Sequence, residues 1–163
     1  MSSPLFSSRI AHLVSALSLS TLFIGCLSLK GAESLHEADE LTHAGKYDEA
    51  IAAYHEHMQA RLEATDRPEW ENPYFYLLSI GDIELARGDA DKALQLYEDA
   101  ERQGVSVPLI SDRYRAVAGW YEEHSQLKKA LEVLNKYHER DALLFDSMLD
   151  RIARKLTDEE SAQ

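Results

Sequence analysis

Apolar and small residues recur along this chain in steps of three and four, and no stretch sustains the period-two alternation of a half-buried strand. The breaks between these helical stretches repeat as well. In Ala44-Gly45-Lys46-Tyr47-Asp48-Glu49-Ala50-Ile51-Ala52-Ala53-Tyr54, Gly45 ends one helix, because glycine takes the left-handed conformation there without a Cβ penalty. Ala50, Ile51 and Tyr54 then start the apolar stripe of a second helix, with a small residue where two helices come close. The phrase returns as Arg87-Gly88-Asp89-Ala90-Asp91-Lys92-Ala93-Leu94-Gln95-Leu96-Tyr97, and again from His124 to Leu134 with Ser125 in the glycine's place.

The elements follow from these signals. Ser34 with Glu37 has the form of a capping box, predicting a first helix to about Ala44, and its partner runs from Tyr47 toward Ala64. Thr65 to Pro73 is a break with two prolines, in which Asn72 as N-cap and Pro73 at the first helical position restart the chain. A second pair spans about Pro73–Arg87 and Ala90–Gln103, and a third Leu109–His124 and Leu127–Arg140, joined by Gly104 to Pro108. Asp141 caps a last helix, Ala142 to Leu156. Its stripe of Leu143, Leu144, Phe145, Met148, Leu149, Ile152 and Leu156 opposes Asp146, Asp150, Arg151, Arg154 and Lys155, and residues 157–163 form a polar tail.

The three phrases resemble the turn and second helix of the tetratricopeptide repeat. Gly45 to Gly88 is 43 residues and Gly88 to Ser125 is 37, against a family period of about 34, which implies insertions of about nine and about three, the nine in the Arg61–Asn72 link or lengthening the helix before it. Small residues stand at the family's contact position in Ala38, Gly81 and Ala118, and Tyr121 holds its aromatic place, where Leu41 and Glu84 depart from it. The resemblance implies an all-α right-handed superhelix of three hairpins over residues 33–140, closed by a capping helix over 141–156. It also implies a concave groove lined by Leu35, Asp39 and Thr42 of the first helix, and by Phe75, Leu78, Asp82 and Leu85 of the third. The fifth helix adds Asp112, Arg115, Gly119 and Glu122. The family's clamp for a terminal carboxylate uses Lys, Asn and Arg where this chain has Asp39 and Asp82, so an acidic surface beside Phe75 and Leu78 is expected instead. Simple packing of Phe75 and Leu78 between helices is the competing expectation.

Residues 1–25 hold one basic residue, Arg9, and no acidic one, and Ile10 to Gly25 is apolar or small. That is the layout of an export signal, although a continuous apolar run from Ile10 to Leu29 approaches the ~20 residues of a spanning anchor. Leu22-Phe23-Ile24-Gly25-Cys26 resembles the bacterial lipoprotein cleavage box, with Phe23 a departure from it. The resemblance implies loss of residues 1–25, lipid on Cys26 and a short linker over 26–32. Ordinary cleavage after Ser28 or Ala32 is the alternative.

Composition narrows the function. A net charge of −12, spread over every helical segment, excludes nucleic acid and charge-driven binding to anionic lipid. One cysteine permits no internal disulfide. There is no phosphate-binding glycine loop or nucleophile elbow, and no zinc-ligand spacing; His55 and His57 point apart on a helix, and His36, Glu40 and His43 suit a solvated face. No cofactor, metal or catalytic role is expected, and Trp70 and Trp120 are expected to pack rather than to bind sugar. The expectation is a non-catalytic adaptor of a bacterial envelope, exported to the periplasmic side as a lipoprotein or in soluble form, and holding another protein's segment. A self-associating homo-oligomeric module, or a regulatory subunit of an envelope enzyme, is the alternative.

Overall fold

The computed structural model describes residues 33–162. Helix α1 covers 33–43, α2 Tyr47–Glu63, α3 Tyr76–Ala86, α4 Ala90–Arg102, α5 Val107–Glu123, α6 Leu127–Tyr137 and α7 Ala142–Ser161. Single 3-10 turns, Pro73–Phe75 and His138–Arg140, precede α3 and α7. No strand occurs among the described residues. The export signal expected over residues 1–25, Cys26 and the linker expected over 26–32 lie outside them.

The repeated phrase sets the hairpin turns. Gly45, Gly88 and Ser125 have φ of 72°, 97° and 57°, the left-handed conformation expected from the sequence. Each closes the helix before it with the same pair of hydrogen bonds. At the second turn, Gly88 N–H donates to Leu85 O at 3.1 Å and Asp89 N–H to Glu84 O at 2.8 Å; at the third, Gln126 N–H donates to Tyr121 O at 2.8 Å. These bonds satisfy carbonyls that the helix end would leave bare. Ser125 accepts a conformation that costs a non-glycine residue about 1–2 kcal/mol.

The insertion after α2 is an ordered link. Arg61 grips Glu71 with two hydrogen bonds of 2.6 Å, which hold the Glu71 carboxyl below its usual range. Asn72 caps the 3-10 turn that leads into α3, accepting from Tyr74 N–H at 3.1 Å, and its Nδ2 reaches Gln103 O at 3.0 Å. Asp141 accepts from Leu144 N–H at 3.2 Å at the start of α7. Ser34, the other expected cap, already lies within α1, and its Oγ is 3.3 Å from His57 Nδ1.

Small residues let the helices approach. Ala38, Ala50, Ala93, Ala100, Ala118 and Ala130 are wholly buried, and Tyr97, Tyr114 and Tyr121 fill the space between successive pairs. Several boundaries differ from expectation: Pro73–Phe75 and His138–Arg140 are 3-10 turns, so α3 begins at Tyr76 and α6 ends at Tyr137. Helix α5 begins at Val107, because Pro108 is tolerated in a first turn whose N–H groups need no helical partner. Helix α7 runs to Ser161, well past Leu156, and the added residues remain exposed. Phe145, Met148 and Ile152 bury its stripe against the third hairpin, but Leu143 stands 90 % exposed.

The array has two edges. One carries the turns at Gly45, Gly88 and Ser125, tied together by Arg87 with Asp48 and by Lys129 with Asp91, both at 2.9 Å. On the other, the even helices end and the odd ones begin. His57 there meets Tyr76 edge-on at 4.5 Å, and Asn72 reaches Gln103.

Candidate partner-binding groove

The odd helices present the residues expected to line a groove, and the structure treats them unequally. Leu78 is wholly buried and Leu35 packs partly against the core, so Leu78 offers no surface to a partner. Phe75 is 40 % exposed but sits at the link edge against Tyr76, away from the groove's centre. Leu78 is thus packed between helices, while Phe75 is partly exposed beside Tyr76. The Thr42 hydroxyl donates to Ala38 O at 2.8 Å within its own helix.

The carboxylates already have partners inside the chain. Asp39 accepts the Tyr54 hydroxyl at 2.5 Å, and one repeat later Asp82 accepts Tyr97 at 2.8 Å. Arg113 then clamps Asp82 with bonds of 3.1 and 2.8 Å. Glu122 receives Arg151 at 2.6 Å and Lys155 at 2.5 Å from α7; these hydrogen bonds hold its carboxyl down at about 2. Asp112 pairs with Arg115 at 2.5 Å on the same helix. Of the acids expected in the groove, Asp82 is thus paired by the next hairpin, Glu122 by α7 and Asp112 by its own helix, while Asp39 holds only a tyrosine hydroxyl. Burial, then the Asp39 hydrogen bond, pushes Tyr54 up to about 12; burial and Asp82 push Tyr97 higher still.

The same device joins α4 to the next hairpin. Asp91 takes Tyr121 and Lys129, Glu98 takes Tyr137 and Lys136, and Glu101 takes Tyr114 and Arg140. The basic partners lie 38, 38 and 39 residues after their acids, close to the local repeat spacing. A search for acids followed by bases one repeat later would have found them in the sequence. Tyr114 and Tyr137 stack at 3.6 Å in the same interface, so this junction is fixed by rings and charges together.

The third repeat departs from the pattern. Where the first two hold Asp39 with Tyr54 and Asp82 with Tyr97, it has Gly119 and Leu134. With no side chain at Gly119, a trough of about 520 Å³ opens between α3, α5 and α7. Leu85, Gly119, Leu144 and Met148 give it apolar lining, and Arg115, Glu123 and Arg151 charged lining. Trp120 stands at its side, half buried and stacked on His124 at 3.7 Å. The structure therefore gathers Leu85, Arg115 and Gly119 of the expected set. The sequence reading missed the α7 wall because it treated that helix as a cap alone. Among the described residues, no group of three or more His, Cys, Asp or Glu side chains is placed to hold a metal ion.

Solved structures match the chain by shape. One is the TPR2AB-domain:pHSP90 complex of yeast Sti1, 22% identical over 81% of this chain, with a TM-score of 0.57. The chain has the fold of a tetratricopeptide-type helical array. It spans about half that structure, 49% of its length. No family model matches the chain, and no curated protein matches it.

Proposed function

We propose that this chain is a non-catalytic adaptor, exported and anchored through lipid on Cys26, that holds a segment of another protein in the trough between α3, α5 and α7. The trough at Gly119 carries the proposal: it is concave and part apolar, it is built from helices rather than loops, and it breaks the otherwise repeated Asp–Tyr pairing. An apolar side chain of the partner fits its lining, with Arg115, Glu123 and Arg151 free to contact flanking polar groups around their internal pairs. The likeness to the yeast Sti1 domain solved as a complex with pHSP90 supports a protein partner. The signal layout of residues 1–25 and Gly25-Cys26 supports the anchor.

The test fills the trough without touching the core. A Cβ at Gly119 would meet nothing closer than Met148 Cε at 4.0 Å, so Gly119→Leu occupies the cavity while improving helix propensity by up to about 1 kcal/mol. The variant is expected to melt no lower than the wild type and to lose the partner that wild-type bait recovers from detergent-solubilised membranes. Equal recovery by both removes the trough as the binding site and favours self-association or another surface. Exchanging Asp39 and Asp82 for lysine is a poorer test, since both carboxylates hold buried tyrosines.

A further inference from the structure

The large hydrophobic side chains exposed among the described residues are Trp70, Phe75, Val107, Leu109 and Leu143. All of them lie on the link edge. Trp70 is in the link before α3, Phe75 in the turn that opens α3, Val107 and Leu109 in the first turn of α5, and Leu143 in the first turn of α7. On the opposite edge the turns carry exposed Lys46, Asp48, Asp89, Asp91 and Lys128. Single exposed apolar residues are ordinary, but their confinement to one edge is not. Trp70 is 84 % exposed on a link that Arg61–Glu71 and Asn72–Gln103 hold in place, so its exposure is not that of a loose loop. Trp70, Phe75 and Leu109 also share a shallow hollow of about 400 Å³.

The chain before α1 joins this same edge. Ser34 lies 3.3 Å from His57, His57 meets Tyr76 at 4.5 Å, and Tyr76 meets Phe75 at 5.9 Å. Residues 1–32, attached there, include the apolar run from Ile10 to Leu29 and Cys26. Any membrane attachment through them brings this edge toward the bilayer. We propose that the link edge rests on the lipid surface, with Trp70 and Phe75 seated at the boundary of headgroups and acyl chains. The Trp70 indole, with a polar N–H and an apolar body, favours that depth, and the Phe75 ring adds apolar area beside it. A chain of charge −12 gains nothing from anionic lipid, so the contact is apolar, favours neutral lipid and survives high salt. It would fix the array upright, with the Gly45, Gly88 and Ser125 turns farthest from the membrane. The inference rests on the anchoring proposed above.

The experiment uses the processed chain, carrying lipid on Cys26, in phosphatidylcholine vesicles whose lipids carry bromine near the glycerol end of the acyl chains, a quencher of tryptophan at that depth. Wild-type emission is expected to shift to the blue and lose the larger part of the Trp70 contribution. Trp70→Phe should abolish both effects, leaving Trp120 unquenched; the replaced side chain is exposed, so folding is not at stake. Adding Lys46→Trp to that variant places a probe on the opposite edge, which should also stay unquenched. Equal quenching of wild type and Trp70→Phe, or quenching of the probe at position 46, overturns the proposal. Flotation separates the two ideas. A chain that floats with the vesicles while Trp70 stays unquenched overturns the edge contact alone, and a chain that does not float overturns the anchor as well. A blue shift that grows with protein concentration in the absence of lipid assigns the edge to a second copy, and also refutes the proposal.

Discussion

Gly81→Ala would ordinarily stabilise a helix, by about 1 kcal/mol on intrinsic propensity. Here it is expected to do the reverse. A Cβ at Gly81 would lie within 3.0 Å of the Tyr97 ring carbons Cε1, Cδ1 and Cζ, where ordinary carbon contacts are about 3.5–4.0 Å. The ring cannot swing clear: Tyr97 is wholly buried, and its hydroxyl is bonded to Asp82, which Arg113 holds in turn. The first repeat carries Ala38 with Tyr54, so relaxation has a natural route, in which the α3–α4 hairpin opens. That opening draws Asp82 away from Arg113 of the next hairpin and loosens two junctions at once. Overpacking of this kind costs ~1–3 kcal/mol, and loss of a hydrogen bond to a partly exposed carboxylate adds about 1 kcal/mol. After the propensity gain, a net loss of about 1–3 kcal/mol remains, a fall in Tm of about 3–10 °C for a chain of this size. Thermal melts followed by circular dichroism measure it. The control is Gly81→Ala with Tyr97→Leu, which reproduces the Ala118–Leu134 pairing of the third repeat. The double variant should lie above the sum of the single losses by at least about 1 kcal/mol. A Gly81→Ala chain that melts above the wild type, or strictly additive losses, would refute the reasoning.

Ser125→Gly should raise Tm by a few degrees, since it relieves a left-handed serine at φ 57° in a turn where the first two repeats use glycine; an unchanged or lower Tm would show that the turn carries no strain. The Glu122 clamp should appear in the acid limb of stability. The carboxyl is held at about 2 in the folded chain against an ordinary 4.5, by hydrogen bonds from Arg151 and Lys155, so the folded state binds fewer protons. Its contribution is complete above about pH 4.5 and lost as pH falls toward about 2. Melts taken across that window should show Glu122→Gln losing less Tm than the wild type, and parallel curves would remove the clamp as a source of acid sensitivity.

The sequence by itself determined the hairpins, because what makes them is local. Left-handed positions at Gly45, Gly88 and Ser125, the Asn72-Pro73 restart and the three-and-four spacing of small and apolar residues depend only on near neighbours in the chain. It determined the small-residue contacts at Ala38, Gly81 and Ala118 for the same reason: the repeat marks them whatever they touch. The apolar run from Ile10 to Leu29 is equally a property of the linear chain. The tertiary structure decided which charges are free. Asp82, Glu122 and the acids of α4 read as solvent-facing on their own helices. Their neutralising partners Arg113, Arg151, Lys129, Lys136 and Arg140 come from the next structural unit, and only the stacking of hairpins brings them within 3.0 Å. It likewise decided that α7 is a wall of the trough as well as a cap, and that Trp70 faces outward, since a helical period gives a side chain's direction on its own element but not what stands opposite. The exposed edge is the plainest instance. Trp70, Phe75, Val107, Leu109 and Leu143 are scattered through the sequence and share a side only because every odd helix starts where every even helix ends.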